Sequence, residues 1–163
     1  MHIMLRKVGI GVLVSGSGSN LQSIIDHIEA GTLDAEIRVV LSNNPEAYAL
    51  ERCRKHRISS VVIDHRQFDC RENYDRRAIA ILESSGVELV VMAGFMRILS
   101  PEFFRAFPRR IINIHPALLP AFPGMHVQQK AVEYGVKFAG CTVHFADEGI
   151  DTGGILLQKK VAI

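Results

Sequence analysis

The chain has 163 residues, 48% hydrophobic and 22% charged, and carries a formal net charge of +2 with neutral histidines. That length suits one ordinary domain with a sizeable core, and that composition excludes a disordered chain. So even a charge balance makes no case for a nucleic-acid binder, whose Lys and Arg gather into a patch or stripe.

Val8–Ser15 is an apolar run and reads as a buried parallel strand. Gly16–Asn20, GSGSN, is a polar turn, and the following segment places Leu21, Ile24, Ile25 and Ile28 at helix spacing until Gly31 stops it. Ile37–Leu41 is a second strand. Pro45 then sits where it can open a helix at its first turn, with Ala47–His56 helical. The basic cluster Arg52–Arg57 falls on that helix and reads as a solvated face. Ser60–Ile63 is strand three, Asp64–Asp69 a loop, and Glu72–Ser84 a helix with Tyr74, Ile79 and Leu82 on one face.

Glu88–Ala93 is strand four, followed by the loop Gly94–Leu99. A short helix over Pro101–Phe107 takes Ser100 as its cap, and Arg110–Ile114 is strand five. Alternation of this kind predicts an open parallel sheet covered on both faces. Beyond Pro123 the rhythm changes: helix Val127–Tyr134, strand Lys137–Phe145, loop Asp147–Gly154 and strand Ile155–Val161, an antiparallel addition. The expected fold is three-layer α/β with a mostly parallel, Rossmann-like sheet, residues 1–163 forming one domain.

Cys53, Cys70 and Cys141 are odd in number and lack metal-like spacing, which fits a reducing, cytoplasmic setting. Arg6 and Lys7 are not followed by a signal core with a cleavage site. No apolar run reaches the roughly 18 residues that span a bilayer.

Four stretches are candidates for chemistry. Gly16, Gly18, Ser19 and Asn20 lie between a buried strand and a helix, where backbone N–H groups and the helix end favour an anion such as phosphate. The loop lacks the Lys-Ser/Thr of a Walker motif and the third glycine of a dinucleotide fingerprint, and its bland alternative is a tight turn. In the second stretch Phe95, Met96, Ile98 and Leu99 are unusually apolar for an idle loop. They would line a pocket for a flat ring, with Arg97 for an acid group, or else simply bury under the neighbouring helix. In the third, IINIHPALLP, Asn113 and His115 are two apart and point to one side of an extended segment, with Ile111, Ile112 and Ile114 as anchors. An amide can meet an oxyanion and an imidazole can move a proton, while Pro116 keeps His115 extended. Asp151, in a glycine-bounded loop, is the natural third member. The alternatives are a cation site at Asp147, Glu148 and Asp151, which lacks calcium-loop spacing, and zinc on His115, His126 and His144, whose spacing matches no zinc signature.

Together VLVSGSGSNLQSIID, VMAGFMRIL, INIHPALLPAFPG and GCTVHFADEGIDTGGIL, in that order along nearly the whole chain, resemble the phosphoribosylglycinamide formyltransferase family of purine synthesis. The resemblance implies a formyltransferase fold, and 5-phosphoribosylglycinamide and the co-substrate 10-formyltetrahydrofolate as small-molecule partners. Gly16, Gly18, Ser19 and Asn20 would hold the ribonucleotide phosphate. Arg71, Met96, Arg97, Ile98 and Leu99, with Asn113 and the segment Ala146, Asp147, Glu148, Gly149, Ile150 and Asp151, would hold the folate. Asn113, His115 and Asp151 would be the catalytic trio. No metal is implied, because the formyl donor is already activated and protein donors would meet the oxyanion. Nor is a nucleic-acid or membrane partner implied, and the chain would be a monomer or homodimer.

Three other activities remain possible on these motifs. Methionyl-tRNA formyltransferase follows its Leu-Leu-Pro with Arg-Gly, where this chain has Ala121-Phe122, and adds an RNA-binding domain. Formyltetrahydrofolate deformylase carries a leading regulatory domain. A non-catalytic nucleotide-binding module would use GSGSN alone. Family members continue past Ile163 with a helix and an acidic residue near the ribonucleotide, so a form shortened at its carboxyl end is expected.

Overall fold

Strand β1 (Val8–Val14) is buried along all but its first residue, which is why its sequence is continuously apolar instead of alternating. The computed structural model describes residues 6–163. After β1 come α1 (Ser19–Glu29), β2 (Ala35–Ser42), α2 (Tyr48–Lys55), β3 (Ser60–Val62), α3 (Arg71–Ser84), β4 (Leu89–Met92), α4 (Pro101–Ala106) and β5 (Ile111–His115). The chain continues through α5 (Val127–Tyr134), β6 (Phe138–Phe145) and β7 (Ile155–Ala162). The sheet order is β3-β2-β1-β4-β5-β6-β7. The first five strands run parallel, and β6 and β7 are antiparallel additions. This is the architecture the sequence predicts.

The two faces of β1 feed two cores. Ile10, Val12 and Val14 pack with Leu21 and Ile25 of α1 and Ala49 and Cys53 of α2. Leu13 packs on the other side with Tyr74, Ala78 and Leu82 of α3 and Phe103 of α4. Tyr74, Ala78 and Leu82 recur every four residues, the stripe an amphipathic helix turns to a sheet. Burial pushes the Cys53 thiol up to about 11, as expected of an inert core cysteine. Among the described residues no helix is long and apolar enough to cross a membrane.

Four local expectations are corrected. Pro45 does not open α2; it lies in a turn closed by Ala47 N–H to the Asn44 carbonyl, and Asn44 Oδ1 also takes the Glu46 N–H. The loop after β3 contains a 3-10 turn, His65–Gln67, capped by the Asp64 side chain. Ser100 occupies the cap position of α4, but its hydroxyl has no partner and its backbone N–H instead donates to Asp75 Oδ2 at 2.6 Å. Ile111 is buried on the same strand face as Asn113 and His115, because residues two apart share a face.

The order 2-1-4 places the switch in the direction of strand addition between β1 and β4, so the crevice for a ligand lies beyond their carboxyl ends. Gly11 keeps that junction tight. A Cβ built there would lie 2.5 Å from Leu82 Cδ2 and 3.0 Å from Val87 Cγ2. Gly11→Ala should therefore cost about 1–3 kcal/mol through overpacking. Leu82→Ala should cost about 2–5 kcal/mol through the cavity it leaves. The double variant should lose less than the sum, read by urea unfolding; strict additivity would mean that the two positions do not share this space.

Candidate active site

The glycine loop lies where β1 turns into α1. Gly18 is the residue before the helix, with φ 70°, and a Cβ on it would stand 2.7 Å from the Ala49 Cβ. Conformation and packing both demand glycine there. Ser19 and Asn20 open α1, whose first N–H groups have no partner within the helix. The loop is fastened from α2: Arg52 Nε donates to the Ser17 carbonyl at 2.8 Å and Nη1 to Gln22 Oε1 at 3.0 Å. A cavity of about 160 Å³ lies between Ser15–Asn20 on one side and Ala93, Gly94 and Met96 on the other. All four glycine-loop candidates border it.

Asn113 and His115 sit at the end of β5, and β6 pairs against them, with Asn113 opposite His144 and His115 opposite Thr142. The chain then returns through Ala146–Gly154 and brings Asp151 over the strand end. Asp151 Oδ2 lies 3.4 Å from His115 Nδ1 and accepts the Gly124 N–H at 2.9 Å, and Oδ1 lies 3.6 Å from His144 Nε2. His115 Nε2 pairs with the Phe122 carbonyl at 2.8 Å, and His144 Nδ1 with the Phe145 carbonyl at 2.9 Å. A carbonyl oxygen only accepts, so each of these nitrogens carries a hydrogen. His144 Nε2 is then free to accept from the Asn113 amide at 3.3 Å. Both nitrogens of His115 are engaged, and the residue is only 3% exposed.

The return loop is shaped by close approach. At Gly153 a Cβ would collide with the Phe145 carbonyl, whereas Asp151 tolerates φ 55°. Asp147 Oδ1 takes the Gly149 N–H and the Thr152 hydroxyl, so this carboxylate ties the loop to itself. Glu148, Gly149 and Ile150 are exposed, and Ala146 donates its N–H to the Ile111 carbonyl. His126 is exposed at the start of α5, whereas His115 and His144 are buried around Asp151. Among the described residues no group of three or more His, Cys, Asp or Glu is placed to hold a metal ion.

The loop after β4 divides by burial. Phe95 and Leu99 join the core, whereas Met96 is 66% and Ile98 58% exposed. Only Met96 and Ile98 offer apolar side chains to a ligand; Leu99 has its backbone to give. Arg97 is turned inward, its guanidinium carbon 4.7 Å from the Tyr74 ring centroid and its Nε buried without a partner. Below it lies Asp75, fully buried, with Oδ2 on the Ser100 N–H and Oδ1 unpartnered. Burial pushes the Asp75 carboxyl above the usual carboxylate range; the Ser100 N–H and the Arg97 and Arg71 charges oppose this without cancelling it. Arg71 is exposed at the first turn of α3 and pairs with Glu72 at 3.5 Å.

Sequence reasoning missed three contributors. His144 offers a sequence signal beyond a zinc ligand, since it and Thr142 are two apart on a strand, and they stand opposite Asn113 and His115. Asp75 falls on the helix stripe beside Ala78 and Leu82, and a charge in a core stripe is itself a signal. The Phe122 carbonyl had no signal, since any residue supplies one.

Fold and site together define a doubly wound α/β protein whose polar chemistry gathers at the carboxyl ends of the central strands. A family model described as formyl transferase matches residues 8–163, and the chain belongs to that family. It is 43% identical over 156 residues to the phosphoribosylglycinamide formyltransferase of Escherichia coli, covering 96% of this chain and 74% of that protein. It is 47% identical over 160 residues to the trifunctional purine biosynthetic protein adenosine-3 of Drosophila melanogaster, of which it spans 12%. The crystal structure of glycinamide ribonucleotide transformylase 1 from Symbiobacterium toebii superposes with a TM-score of 0.96 at 44% identity, over 99% of this chain and 76% of that one.

The buried carboxyl generates a pH prediction. With its native value raised, the folded state keeps the Asp75 proton where the unfolded chain has lost it. Its contribution to stability therefore falls as pH rises from about 4 through the raised native value. Asp75→Asn, which cannot ionise, should gain stability relative to wild type over that range and then level off, measured by urea unfolding between pH 4 and 8. A difference that stays flat with pH would remove burial as the cause.

Proposed function

We propose that the chain transfers a formyl group from 10-formyltetrahydrofolate to the amine of 5-phosphoribosylglycinamide, in a cytoplasmic setting. The observation that carries this reading is Asp151, distant in sequence, lying 3.4 Å from His115 Nδ1 with the Asn113 amide alongside. The names of the bacterial relatives support the choice of substrates. The glycine loop suits the ribonucleotide phosphate, because open N–H groups at a helix start attract an anion. Arg71, Met96, Ile98 and the backbone at Leu99, with Arg97 close by and the segment Ala146–Asp151 opposite, suit the folate.

In the reaction the glycinamide amine attacks the formyl carbon on folate N10. A C–N bond forms and negative charge collects on the formyl oxygen. Asn113 Nδ2–H and the imidazolium of His115 meet that charge. The amine nitrogen gives up a proton, relayed past the Asp151 carboxylate to N10; the C–N10 bond then breaks, releasing tetrahydrofolate and the formyl amide. Because Nε2–H of His115 is held by the Phe122 carbonyl at rest, engaging the oxyanion requires an exchange of that bond. The segment carrying Phe122 is the part that must give. Catalytic hydrogen bonds often reach their working geometry only with substrate bound.

Asp151→Asn is a demanding test, since Asn tolerates the positive φ and keeps an acceptor for the Gly124 N–H. We expect turnover to fall by roughly 100-fold or more, the scale of a lost general acid–base group, with KM changed only a few-fold. Near-wild-type turnover at neutral pH would falsify the role. A wild-type chain that binds 5-phosphoribosylglycinamide but shows no formyl transfer would be a binding module instead.

A further inference from the structure

Ser15 stands between the two loops that border the crevice. Its Oγ donates to Asn43 Oδ1 at 2.6 Å and accepts the Met96 N–H at 2.8 Å. Its backbone N–H donates to the Gly94 carbonyl at 3.2 Å, and its carbonyl accepts from Asn44 Nδ2 at 3.4 Å. The residue that opens the glycine loop is thus bonded twice to the loop after β4. Ser15 and Met96 also line the same 160 Å³ cavity.

The direction of these bonds is fixed by chemistry. An amide oxygen only accepts, so the Ser15 hydroxyl hydrogen points to Asn43 and a lone pair is left for Met96. Asn43 is 5% exposed and anchored itself: its N–H goes to the Val14 carbonyl and its own carbonyl takes His65 Nδ1–H at 3.0 Å. Phe95 anchors the loop in the core, but Met96 is exposed and contributes little packing, so the bond from Ser15 sets where the Met96 backbone stands beside the crevice.

We propose that Ser15 is a positioning residue that couples the two substrate sites, a step that rests on the function proposed above. When the glycine loop closes on the phosphate-bearing substrate, Ser15 is fixed. That fixes Met96 and the loop offered to the formyl donor. The effect is reciprocal by linkage, so each substrate strengthens the binding of the other. One hydroxyl with two bonds supports a mutual effect of roughly three- to tenfold in affinity.

The test uses calorimetric titration of the wild-type chain with 5-phosphoribosylglycinamide, with and without saturating tetrahydrofolate, which has no formyl group and cannot react. The affinity should rise roughly three- to tenfold with tetrahydrofolate present. The gain should vanish in Ser15→Ala and survive in Ser15→Thr, which keeps the hydroxyl. A Ser15→Ala chain that keeps the full gain overturns the proposal, even if both affinities drop. Independently of any variant, 5-phosphoribosylglycinamide alone should slow hydrogen exchange at the Met96 amide; unchanged exchange also overturns it. A wild-type chain that binds both ligands with no mutual effect overturns the coupling but leaves the function standing. One that binds neither overturns both.

Discussion

The polar site depends on one pairing, that of β5 with β6. All strands before it run parallel and end on the same edge. A further parallel strand would arrive from the opposite end and leave Asn113 and His115 at the start of a long connection. Antiparallel pairing sets Thr142 and His144 directly opposite them. It also makes β6 end beside the start of β5, with Phe145 opposite Ile112, so that the loop that follows carries Asp151 back along the strand to His115. The Ala146 N–H to the Ile111 carbonyl and the Phe145 N–H to the Gly154 carbonyl hold the two ends of that return.

Thr142 converts the proline-rich exit of β5 into a wall. Its hydroxyl donates to the Ala117 carbonyl at 2.7 Å and accepts the Leu119 N–H at 3.0 Å and Gln158 Nε2 at 3.0 Å. Gln158 reaches on to the Leu119 carbonyl at 2.8 Å. Two strands thereby grip a segment that has no regular partners of its own, with Ala117 and Leu119 buried. The Phe122 carbonyl and Gly124 N–H follow from that grip, and these are the groups that orient His115 and Asp151. Buried polar groups are costly unless bonded, and here each bond also aims a neighbour.

Much of this was legible because the sequence is locally consistent. The apolar run of β1, the helix spacing of Leu21, Ile25 and Ile28, and the glycine stops at Gly31 and Gly135 each carry their structure on their face. Asn113 and His115 were legible as a pair through the period of a strand. What sequence could not supply was distance. The approach of Asp151 to His115 needs the register of β5 on β6, and the burial of Asp75 needs α3 docked against the loop before α4. Pro45 and Ser100 misled for a shared reason. Each residue type suits a helix start, but Asn44 and Asp75 offered the backbone a different bond.

The two sides of the crevice differ in how well their polar groups are matched. Around His115, His144 and Asp151 every ring nitrogen and carboxylate oxygen has a neighbour in the protein. Among the described residues, the buried side-chain polar atoms without a partner are Asp75 Oδ1, Arg97 Nε and Ser100 Oγ, all three beneath the exposed Met96–Ile98 loop. Each such atom costs about 1–3 kcal/mol, so the loop rests in an arrangement that small rearrangements can improve. Matched polar groups thus gather around His115 and Asp151, and unmatched ones lie beneath the loop after β4. Ser15 lies on the boundary, with one bond to the end of β2 through Asn43 and one to the loop after β4 through Met96.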